Sequence, residues 1–305
     1  MIESQRDEFI KVLYKRAKKD KNICILSADF GAPALDIFIK ELPSQFYHLG
    51  ISEQNMIDVA IGLALKGRKV FCYAMAPFIS IRCLEQHKTA GLMNLPIVTL
   101  VAGVGLGYAD AGPTHYATED YGSLGSLINS KVYTISDGKM STKLSNKLCT
   151  KTEYCFVRID RNVTPNLQKD IKNSEIKNGL RYLSKGNNTC VITRGYMSYK
   201  SLIIFKKYEF MQKFTLIDLF KSKPLPLVMK NILKKYKKII VIDEQVERSS
   251  IGLPISHFIL KHNIKSKVTF LNLDEKYVFE NGGRDKLLDL HGLSESNIIK
   301  AIEKK

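Results

Sequence analysis

Short apolar runs rich in β-branched residues alternate with segments of helical periodicity along almost the whole chain. In the first half, runs at 23–26, 69–74 and 96–102 are strand candidates, and long helical segments are predicted at 53–65 and 77–93. Runs of this length are typical of strands that are buried on both faces of a parallel sheet. Strands that alternate with helices predict an α/β fold.

The length of the chain, 305 residues, allows two domains that each have a core of their own. We expect the first α/β domain at residues 1–165 and interpret the polar stretch at 166–184 as a linker. A second alternation begins with a strand at 189–193 and continues to one at 267–271. It predicts a smaller α/β domain at residues 185–305.

The net charge of +17 admits three kinds of partner: nucleic acid, an anionic membrane or phosphorylated small molecules. The lysines occur as scattered pairs, such as Lys18-Lys19 and Lys234-Lys235, without a dense basic arm or interleaved aromatic residues. This distribution favours a solvated basic surface over a nucleic-acid groove. We therefore expect no nucleic-acid partner.

The first residues resemble no signal peptide, and the apolar runs predict no membrane span. Residues 1–11 are charged and lack a signal-peptide core, and the longest nearly apolar run, 95–106, is too short to span a bilayer. The six cysteines form no CxxC pair, and several lie inside apolar runs, as Cys24 does. We expect a cytoplasmic protein with no membrane segment and with reduced, structural cysteines.

One stretch, His48-Leu-Gly-Ile-Ser-Glu-Gln-Asn55, places a carboxylate directly after a glycine turn and at the start of a helix. Ser52 is the candidate N-cap of this helix. We expect Glu53 to point out of the helix N-terminus towards a ligand. Acidic residues are favoured at helix starts, so the position by itself leaves a purely structural role open.

Two loops follow predicted strands, at the edge where ligands bind in open α/β sheets. The first contains Asp29, for which a simple loop turn is an equal alternative. The second, from Gly103 to Asp120, is dense in glycine and contains His115, and glycines are frequent where backbone approaches a ligand. This loop lacks the third glycine of the dinucleotide fingerprint, so a nucleotide site is disfavoured.

Four motifs, taken in order, resemble the transketolase family. They are Gly50-Ile-Ser-Glu53-Gln, Tyr73-Ala-Met-Ala-Pro-Phe78, Arg82 with Glu85-Gln86, and Gly112-Pro-Thr-His115. The resemblance covers nearly the whole chain. More narrowly, the chain resembles the C-terminal half of a transketolase, as found when the enzyme is split into two subunits. It implies a parallel-sheet thiamine diphosphate pyrimidine-binding domain followed by a smaller α/β C-terminal domain.

The resemblance implies thiamine diphosphate as the cofactor. This cofactor works as an ylide whose thiazolium carbon is deprotonated by its own aminopyrimidine in the imino form. Glu53 corresponds to the catalytic carboxyl group that sits on the pyrimidine ring nitrogen. Phe78 matches the aromatic residue that stacks on the pyrimidine, although core packing is the commoner role of a lone aromatic residue. Tyr73 and Arg82 are assigned to the same cofactor site.

The remaining site residues also follow from the resemblance. His115 is similar to the catalytic histidine that hydrogen-bonds the donor sugar near its reacting carbonyl. Asp29 resembles an acidic residue that meets the cofactor or positions the partner subunit. Arg6 and Arg161 correspond to arginines that bind the substrate phosphate with their bidentate fork, and Arg158 is the alternative to Arg161. No metal ligand is assigned to this chain.

The chain departs from the family pattern at two places that touch substrate. Many transketolases have an aspartate directly before Gly-Pro-Thr-His, whereas this chain has Ala111, with Asp110 one place earlier. Gly103 replaces an upstream sugar-binding histidine. The donor and acceptor therefore stay open, and so does the choice between a sugar of pentose metabolism and a different one.

The Gly-Asp-Gly motif with a downstream asparagine, which holds Mg²⁺ and the diphosphate in the family, does not occur in this chain. A thiamine enzyme needs those oxygen ligands to anchor its cofactor. The resemblance therefore implies an N-terminal partner subunit that binds Mg²⁺ and the diphosphate. The expected assembly is an α2β2 heterotetramer, and the chain alone is expected to be inactive.

Three functions compete on the sequence. The first is the C-terminal subunit of a split transketolase, which moves a two-carbon ketol unit from a ketose phosphate to an aldose. The second is a deoxyxylulose phosphate synthase-like chain or a 2-oxoacid dehydrogenase beta subunit, but Gly-Pro-Thr-His argues against the dehydrogenase and the synthase is normally one long chain. The third is a non-catalytic binding or regulatory subunit, which has no chemical need for Glu53, Phe78 and His115 together.

Overall fold

Two mostly parallel sheets with helices on their faces form the protein, which the computed structural model describes for residues 2–28 and 32–304. One sheet has seven strands and the other has five, and a separate antiparallel pair joins the chain near its start to residues 164–165. The predicted α/β class with two domains is confirmed.

The first half of the chain contributes eight strands and eight α-helices among its described residues. The strands are β1 (Ile2–Glu3), β2 (Ile23–Ala28), β3 (Phe46–Gly50), β4 (Lys69–Met75), β5 (Ile97–Ala102), β6 (Lys131–Thr134), β7 (Cys155–Ile159) and β8 (Thr164–Pro165). The helices are α1 (Gln5–Ala17), α2 (Asp36–Glu41), α3 (Glu53–Leu65), α4 (Ala76–Ile79), α5 (Leu84–Leu92), α6 (Asp120–Ser126), α7 (Gly138–Thr150) and α8 (Asn173–Asn178).

The second half repeats the alternation with shorter elements. Its strands are β9 (Arg181–Ser184), β10 (Thr189–Thr193), β11 (Thr215–Asp218), β12 (Lys221–Lys223), β13 (Lys238–Val246) and β14 (Lys267–Leu273). Its helices are α9 (Tyr196–Lys207), α10 (Met229–Leu233), α11 (Gly252–Lys261), α12 (Arg284–Leu290) and α13 (Glu295–Glu303).

The seven-stranded sheet has the order β12-β6-β7-β5-β4-β2-β3, and its strands are parallel except for β12, which pairs antiparallel with β6. The five-stranded sheet has the order β14-β13-β10-β11-β9, with β9 as its antiparallel edge strand. Because β12 comes from the second half of the chain, it ties the second domain to the sheet of the first.

Strand β2 shows why the apolar runs form this architecture. All six of its residues are buried. Cys24 and Leu26 belong to one apolar cluster, whereas Ile23 and Ile25 belong to another. Successive side chains of a strand point to opposite faces, so a strand that is covered by helices on both sides must be apolar throughout.

Two stretches differ from the sequence-based expectation. The predicted linker, 166–184, contains helix α8 and strand β9, and β9 forms the edge of the second sheet. Residues 46–50 form strand β3 at the edge of the first sheet, where no strand was predicted. The side chains of β3 are only partly buried or exposed, so its sequence lacks the fully apolar character of an interior strand.

Within the described ranges, none of the helices combines the length and apolarity that crossing a bilayer requires. All six cysteines lie in these ranges, are buried, and form no disulfide. Burial raises the pKa of the Cys83 thiol to about 12. It raises that of Cys149 to about 11.

Candidate functional site

The carboxyl ends of the parallel strands carry most of the predicted site residues. Glu53 follows β3 as the first residue of α3, and Phe78 follows β4 within α4. His115 lies in the long loop after β5, and Arg161 follows β7. Ligands bind at this edge of open α/β sheets, so the topology gathers side chains that are far apart in sequence.

Glu53 is held at the positive end of a 13-residue helix. The chain reaches it through Gly50, whose φ of 69° is a conformation that glycine adopts without steric cost. Ser52 occupies the predicted N-cap position, but its hydroxyl donates to the Leu49 carbonyl over 2.6 Å and does not cap the helix. The Glu53 residue is only 5% exposed, so the carboxylate is directed into the molecule.

Four predicted residues form one cluster around that carboxylate. Arg82 Nη1 donates to Glu53 Oε2 over 2.7 Å. The Arg82 guanidinium also lies over the Phe78 ring, 4.4 Å from its centroid. The His115 ring meets Phe78 edge to face, with 5.6 Å between the centroids. We call Glu53, Phe78, Arg82 and His115 the carboxylate cluster.

The segment that carries Phe78 and Arg82 departs from the predicted helix 77–93, which is divided into α4 and α5. Three carbonyl groups of the four-residue helix α4 accept hydrogen bonds from side chains. Ser80 Oγ donates to the Ala76 carbonyl over 2.5 Å, Cys83 Sγ to the Phe78 carbonyl over 3.3 Å, and His87 Nε2 to the Ile79 carbonyl over 2.8 Å. The bonds from Cys83 and His87 satisfy carbonyls that would otherwise be left unpaired at the helix end, whereas the Ala76 carbonyl also accepts from the Ser80 amide.

His87 is fully buried and stays neutral because burial lowers its pKa to about 4. The unfolded chain has the ordinary value of 6.5, so between these values it binds a proton that the folded protein does not. The contribution of His87 to the free energy of unfolding is therefore fully present above pH 6.5. It is lost as the pH falls towards 4, by about 1.4 kcal/mol per pH unit and about 3 kcal/mol in total. Urea unfolding of wild type between pH 7 and pH 4.5 measures this loss.

The matched variant is His87→Gln, which retains a donor for the Ile79 carbonyl but does not titrate. We expect its unfolding free energy to fall less steeply with acid than that of wild type, because the other titrating groups are common to both proteins. Parallel pH profiles for the two proteins would contradict the assignment of the effect to His87.

A second group of predicted residues lies around two tyrosines. The Arg161 guanidinium stacks on Tyr108, 4.9 Å from the ring centroid, and Arg6 pairs with Asp7 over 2.6 Å. Burial raises the pKa of Tyr73 to about 12, and the Arg6 guanidinium, which hydrogen-bonds this tyrosine, acts in the opposite direction. Arg6 and Arg161 thus share the surroundings of Tyr73 and Tyr108, neither of which belongs to the carboxylate cluster.

Tyr73 was predicted as a neighbour of the cofactor, and its placement corrects that prediction. Its side chain is fully buried in the apolar cluster that also contains Phe9 and Phe71. The adjacent Cys72 and Ala74 belong to the other cluster, since side chains alternate along a strand. Tyr73 therefore supports Arg6 and does not line the face that carries Glu53.

Arg158 was predicted as an alternative phosphate ligand, and the structure corrects this too. It is 2% exposed, and its Nε and Nη2 atoms donate to the two carboxylate oxygens of Asp120 over 2.7 and 2.8 Å. Its Nη1 donates to Thr134. Because Arg158 is buried and its bidentate edge is occupied by Asp120, it does not present this fork to a phosphate. Asp29 lies outside the described residues.

At the two departures from the family pattern, Gly103 and Asp110 each make a contact that the structure defines. A Cβ at Gly103, where φ is 81°, would lie 1.7 Å from the Tyr108 ring, so Tyr108 occupies the space that a side chain at 103 would need. Asp110 accepts hydrogen bonds from the amides of Gly282 and Gly283 over 2.7 and 3.2 Å. Sequence reasoning missed that Tyr108 fills this space and that Asp110 contacts the second domain, because neither contact leaves a motif in the sequence.

Comparisons with known proteins identify the family of both domains. The transketolase pyrimidine-binding domain family matches residues 4–166, and the transketolase C-terminal domain family matches residues 179–298. The first match alone covers more than half of the chain.

Relatives extend over nearly the whole chain. One of the subunits of the apulose-4-phosphate transketolase of Phocaeicola vulgatus is 25% identical over 97% of this chain and 95% of the relative. A putative transketolase C-terminal section of Methanocaldococcus jannaschii is 26% identical over 99% of this chain and 96% of the relative.

A solved structure has the same fold. It is a split gene transketolase in the form of an inactive β4 tetramer, and it superposes with a TM-score of 0.85 at 21% identity over 99% of this chain and 97% of the other. The two matching family models establish that the chain belongs to the transketolase family, of which it contains the pyrimidine-binding and C-terminal domains.

Proposed function

We propose that this chain is the C-terminal subunit of a two-subunit transketolase and supplies the pyrimidine-contacting half of a thiamine diphosphate site. The carboxylate cluster carries this proposal. A buried carboxylate at a helix N-terminus, an aromatic ring and a histidine come from three separate segments and converge at the carboxyl edge of the sheet. The names of the split relatives support the same assignment.

The residues present fit an aminopyrimidine ring. Phe78 is half-buried, and none of the three apolar clusters among the described residues includes it. The Arg82 guanidinium, a flat cation, lies on the Phe78 face while it donates to Glu53. A protonated aromatic ring requires the same two surfaces, a π face and a carboxylate. When the aminopyrimidine ring enters, Arg82 would move away from the Glu53 carboxylate and from the face of the Phe78 ring.

Thiamine diphosphate, when bound, supplies the nucleophilic carbon that accepts the ketol unit. Glu53 would hold a proton at the pyrimidine ring nitrogen, which drives the tautomer that the chemistry needs. Phe78 would fix the plane of the ring. His115 would hydrogen-bond a substrate oxygen near the reacting carbonyl, because its ring lies beside Phe78 in the carboxylate cluster.

A phosphorylated ketose is the substrate class that the second group of residues supports. Arg6 and Arg161 lie near the same pair of tyrosines. Arg161 is exposed and Arg6 partly so, and arginines bind phosphate through paired donors. Since the two groups are separate, one would hold the reacting end of a sugar phosphate and the other its phosphate.

The surface beside the carboxylate cluster supports a partner subunit. A groove of about 780 Å³ is lined by Gln54 and Arg82 together with Leu84, Leu92 and Ile128. Leu92 and Ile128 are 74% and 80% exposed, and exposed apolar patches of this kind mark protein interfaces. We propose that the Mg²⁺- and diphosphate-binding subunit covers this face, in an α2β2 assembly in the cytoplasm.

The test is reconstitution. By isothermal calorimetry with Mg²⁺ present, we expect the isolated chain to bind thiamine diphosphate at least about a hundredfold more weakly than the complex with its partner, because the diphosphate grip comes from the other chain. Ketol transfer should likewise appear only in the complex. Tight binding by the chain alone, or no transfer by the complex with any sugar phosphate, would reject the proposal.

A further inference from the structure

The second domain holds the loop that carries His115 at both of its ends. Within the loop, Gly105 and Ala117 exchange backbone hydrogen bonds of 3.1 and 2.9 Å. Glu244 Oε1 accepts from the Leu106 amide over 3.1 Å, and Gln245 Nε2 donates to the Ala117 carbonyl over 2.7 Å. Glu244 and Gln245 are neighbours in β13, so one strand of the second domain fixes the base of the loop.

Glu244 belongs to a buried charge cluster that crosses the domain boundary. Arg284 donates to Glu244 through Nε over 2.8 Å and Nη2 over 2.5 Å, and to Asp160 through Nη1 over 2.6 Å. The three residues are between 2% and 6% exposed. Arg284 Nη2 also lies 3.4 Å from the Val104 carbonyl at the start of the His115 loop. We call Asp160, Glu244 and Arg284 the charge triad.

The charge triad also reaches the arginines of the proposed phosphate group. Asp160 directly precedes Arg161, and its Oδ1 accepts from the Asn162 amide over 2.8 Å. The Asp160 amide donates to Gln5 Oε1 over 2.9 Å, and Gln5 directly precedes Arg6. A single guanidinium thus connects the loop of His115 with the chain segments that carry Arg6 and Arg161.

The charge triad is a costly way to fill an interface. It buries two carboxylates against one guanidinium, and taking ions out of water carries a penalty that apolar side chains of similar size avoid. Burial accordingly raises the pKa of Glu244, with Arg284 acting against that shift. The fit is also tight, since a Cβ at Gly105 would lie 2.6 Å from the Glu244 side chain. The charge triad makes directional hydrogen bonds to two loops, which an apolar contact could not make.

We propose that Arg284 and Glu244 are positioning residues, through which the second domain sets the spacing between His115 and the phosphate-binding arginines. The inference rests on the proposed function, because it assigns the two ends of a sugar phosphate to those two groups. Asp110 strengthens the connection from the other side, since it binds the Gly282 and Gly283 amides immediately before Arg284. The second domain thereby acts on the reaction without contributing a residue to the carboxylate cluster.

Amide hydrogen exchange on the isolated chain tests the physical connection independently of activity. In Glu244→Gln, which keeps the size of the side chain but loses its charge, amides of residues 103–118 should exchange about tenfold faster than in wild type, because local opening of the loop becomes easier. Strands β5 and β7 should be unaffected. Glu247→Gln, an exposed position close by, is the matched control and should leave the loop unchanged.

Kinetics of the complex with the partner subunit test the positioning role. We compare kcat/KM for a ketose phosphate with kcat/KM for the same ketose without phosphate. The ratio of the value with phosphate to the value without it should fall about tenfold in Glu244→Gln, because the bound phosphate no longer helps to place the reacting end of the ketose. Arg284→Lys keeps a buried cation and should give an intermediate ratio, and it replaces Glu244→Gln in both experiments if that variant does not fold.

The outcomes separate the two proposals. Faster exchange in the loop supports the physical connection even if the complex proves to transfer no ketol unit; in that case the proposed function fails, and the connection stands without a role in that reaction. Loop exchange equal to that of Glu247→Gln overturns the inference. An equal loss of kcat/KM for both ketoses also overturns it, since a merely structural defect lowers both to the same extent.

Discussion

Replacement of Glu53 by glutamine is expected to remove most ketol transfer from the assembled enzyme. Glutamine retains the size of the side chain but cannot hold a proton on the pyrimidine ring nitrogen as a carboxyl group does. Proton-transfer groups contribute about 10²–10⁴-fold to rate, and the loss should be of that order. Because Glu53 is only 5% exposed and lies at the start of α3, the change should leave the surface for the partner intact.

Steady-state transfer by the copurified complex measures the effect, with the assembly checked by size-exclusion chromatography. Asp58→Asn is the matched control, because it neutralises an exposed carboxylate on the same helix and should retain wild-type rates. Glu53→Ala should be at least as impaired as Glu53→Gln. A Glu53→Gln complex that assembles and turns over like wild type would refute the catalytic assignment of this residue.

Replacement of Arg181 by methionine is expected to give the largest loss of stability. Arg181 is fully buried between carboxylates of the two domains, with bonds of 2.8 Å to Asp137 and 2.9 Å to Asp218. Asp137 caps α7 through the Met140 amide, and Asp218 ends β11. Burial already raises the pKa of Asp218. Loss of the cation leaves two buried carboxylates uncompensated, which costs about 3–5 kcal/mol.

Urea unfolding at pH 7 measures the change in the free energy of unfolding. The matched control is Lys207→Met, which breaks an exposed pair with Glu295 and should leave stability unchanged within error. Adding Asp218→Asn to Arg181→Met should recover part of the loss, because one of the two unpaired charges disappears. If Arg181→Met were no less stable than the control, the charges across the boundary would contribute nothing to the fold.

Local sequence patterns were sufficient for the interior strands and for the opening of α3. β2, β4 and β5 were predicted within about two residues at each end, since a strand covered on both faces is apolar at every position. The turn at Gly50 and the carboxylate after it likewise follow from neighbouring residues. The order of four such motifs was specific enough to identify the family, which the matches at residues 4–166 and 179–298 confirm.

Single residues within those motifs were decided by the sheet. Arg158 lies within β7 and turns inward to Asp120, whereas Arg161, three positions later, follows the strand and is exposed. Tyr73 and Cys72 are adjacent in sequence yet pack in different clusters. The spacing of the motifs predicted which residues lie near the site. It did not predict which face of the sheet each side chain would occupy, because that depends on the register of the strand.

The chain by itself determined its fold class, its family and the convergence of Glu53, Phe78, Arg82 and His115 at one edge of a sheet. The tertiary structure alone decided that the helix at 77–93 breaks to present Arg82, and that Arg284 reaches back to Asp160 and Glu244. The physical reason is the separation in sequence between the residues that interact. Strands, turns and caps depend on residues a few positions apart, whereas a buried ion pair joins residues that only the packed domains bring together, and its partners leave no local pattern in the sequence.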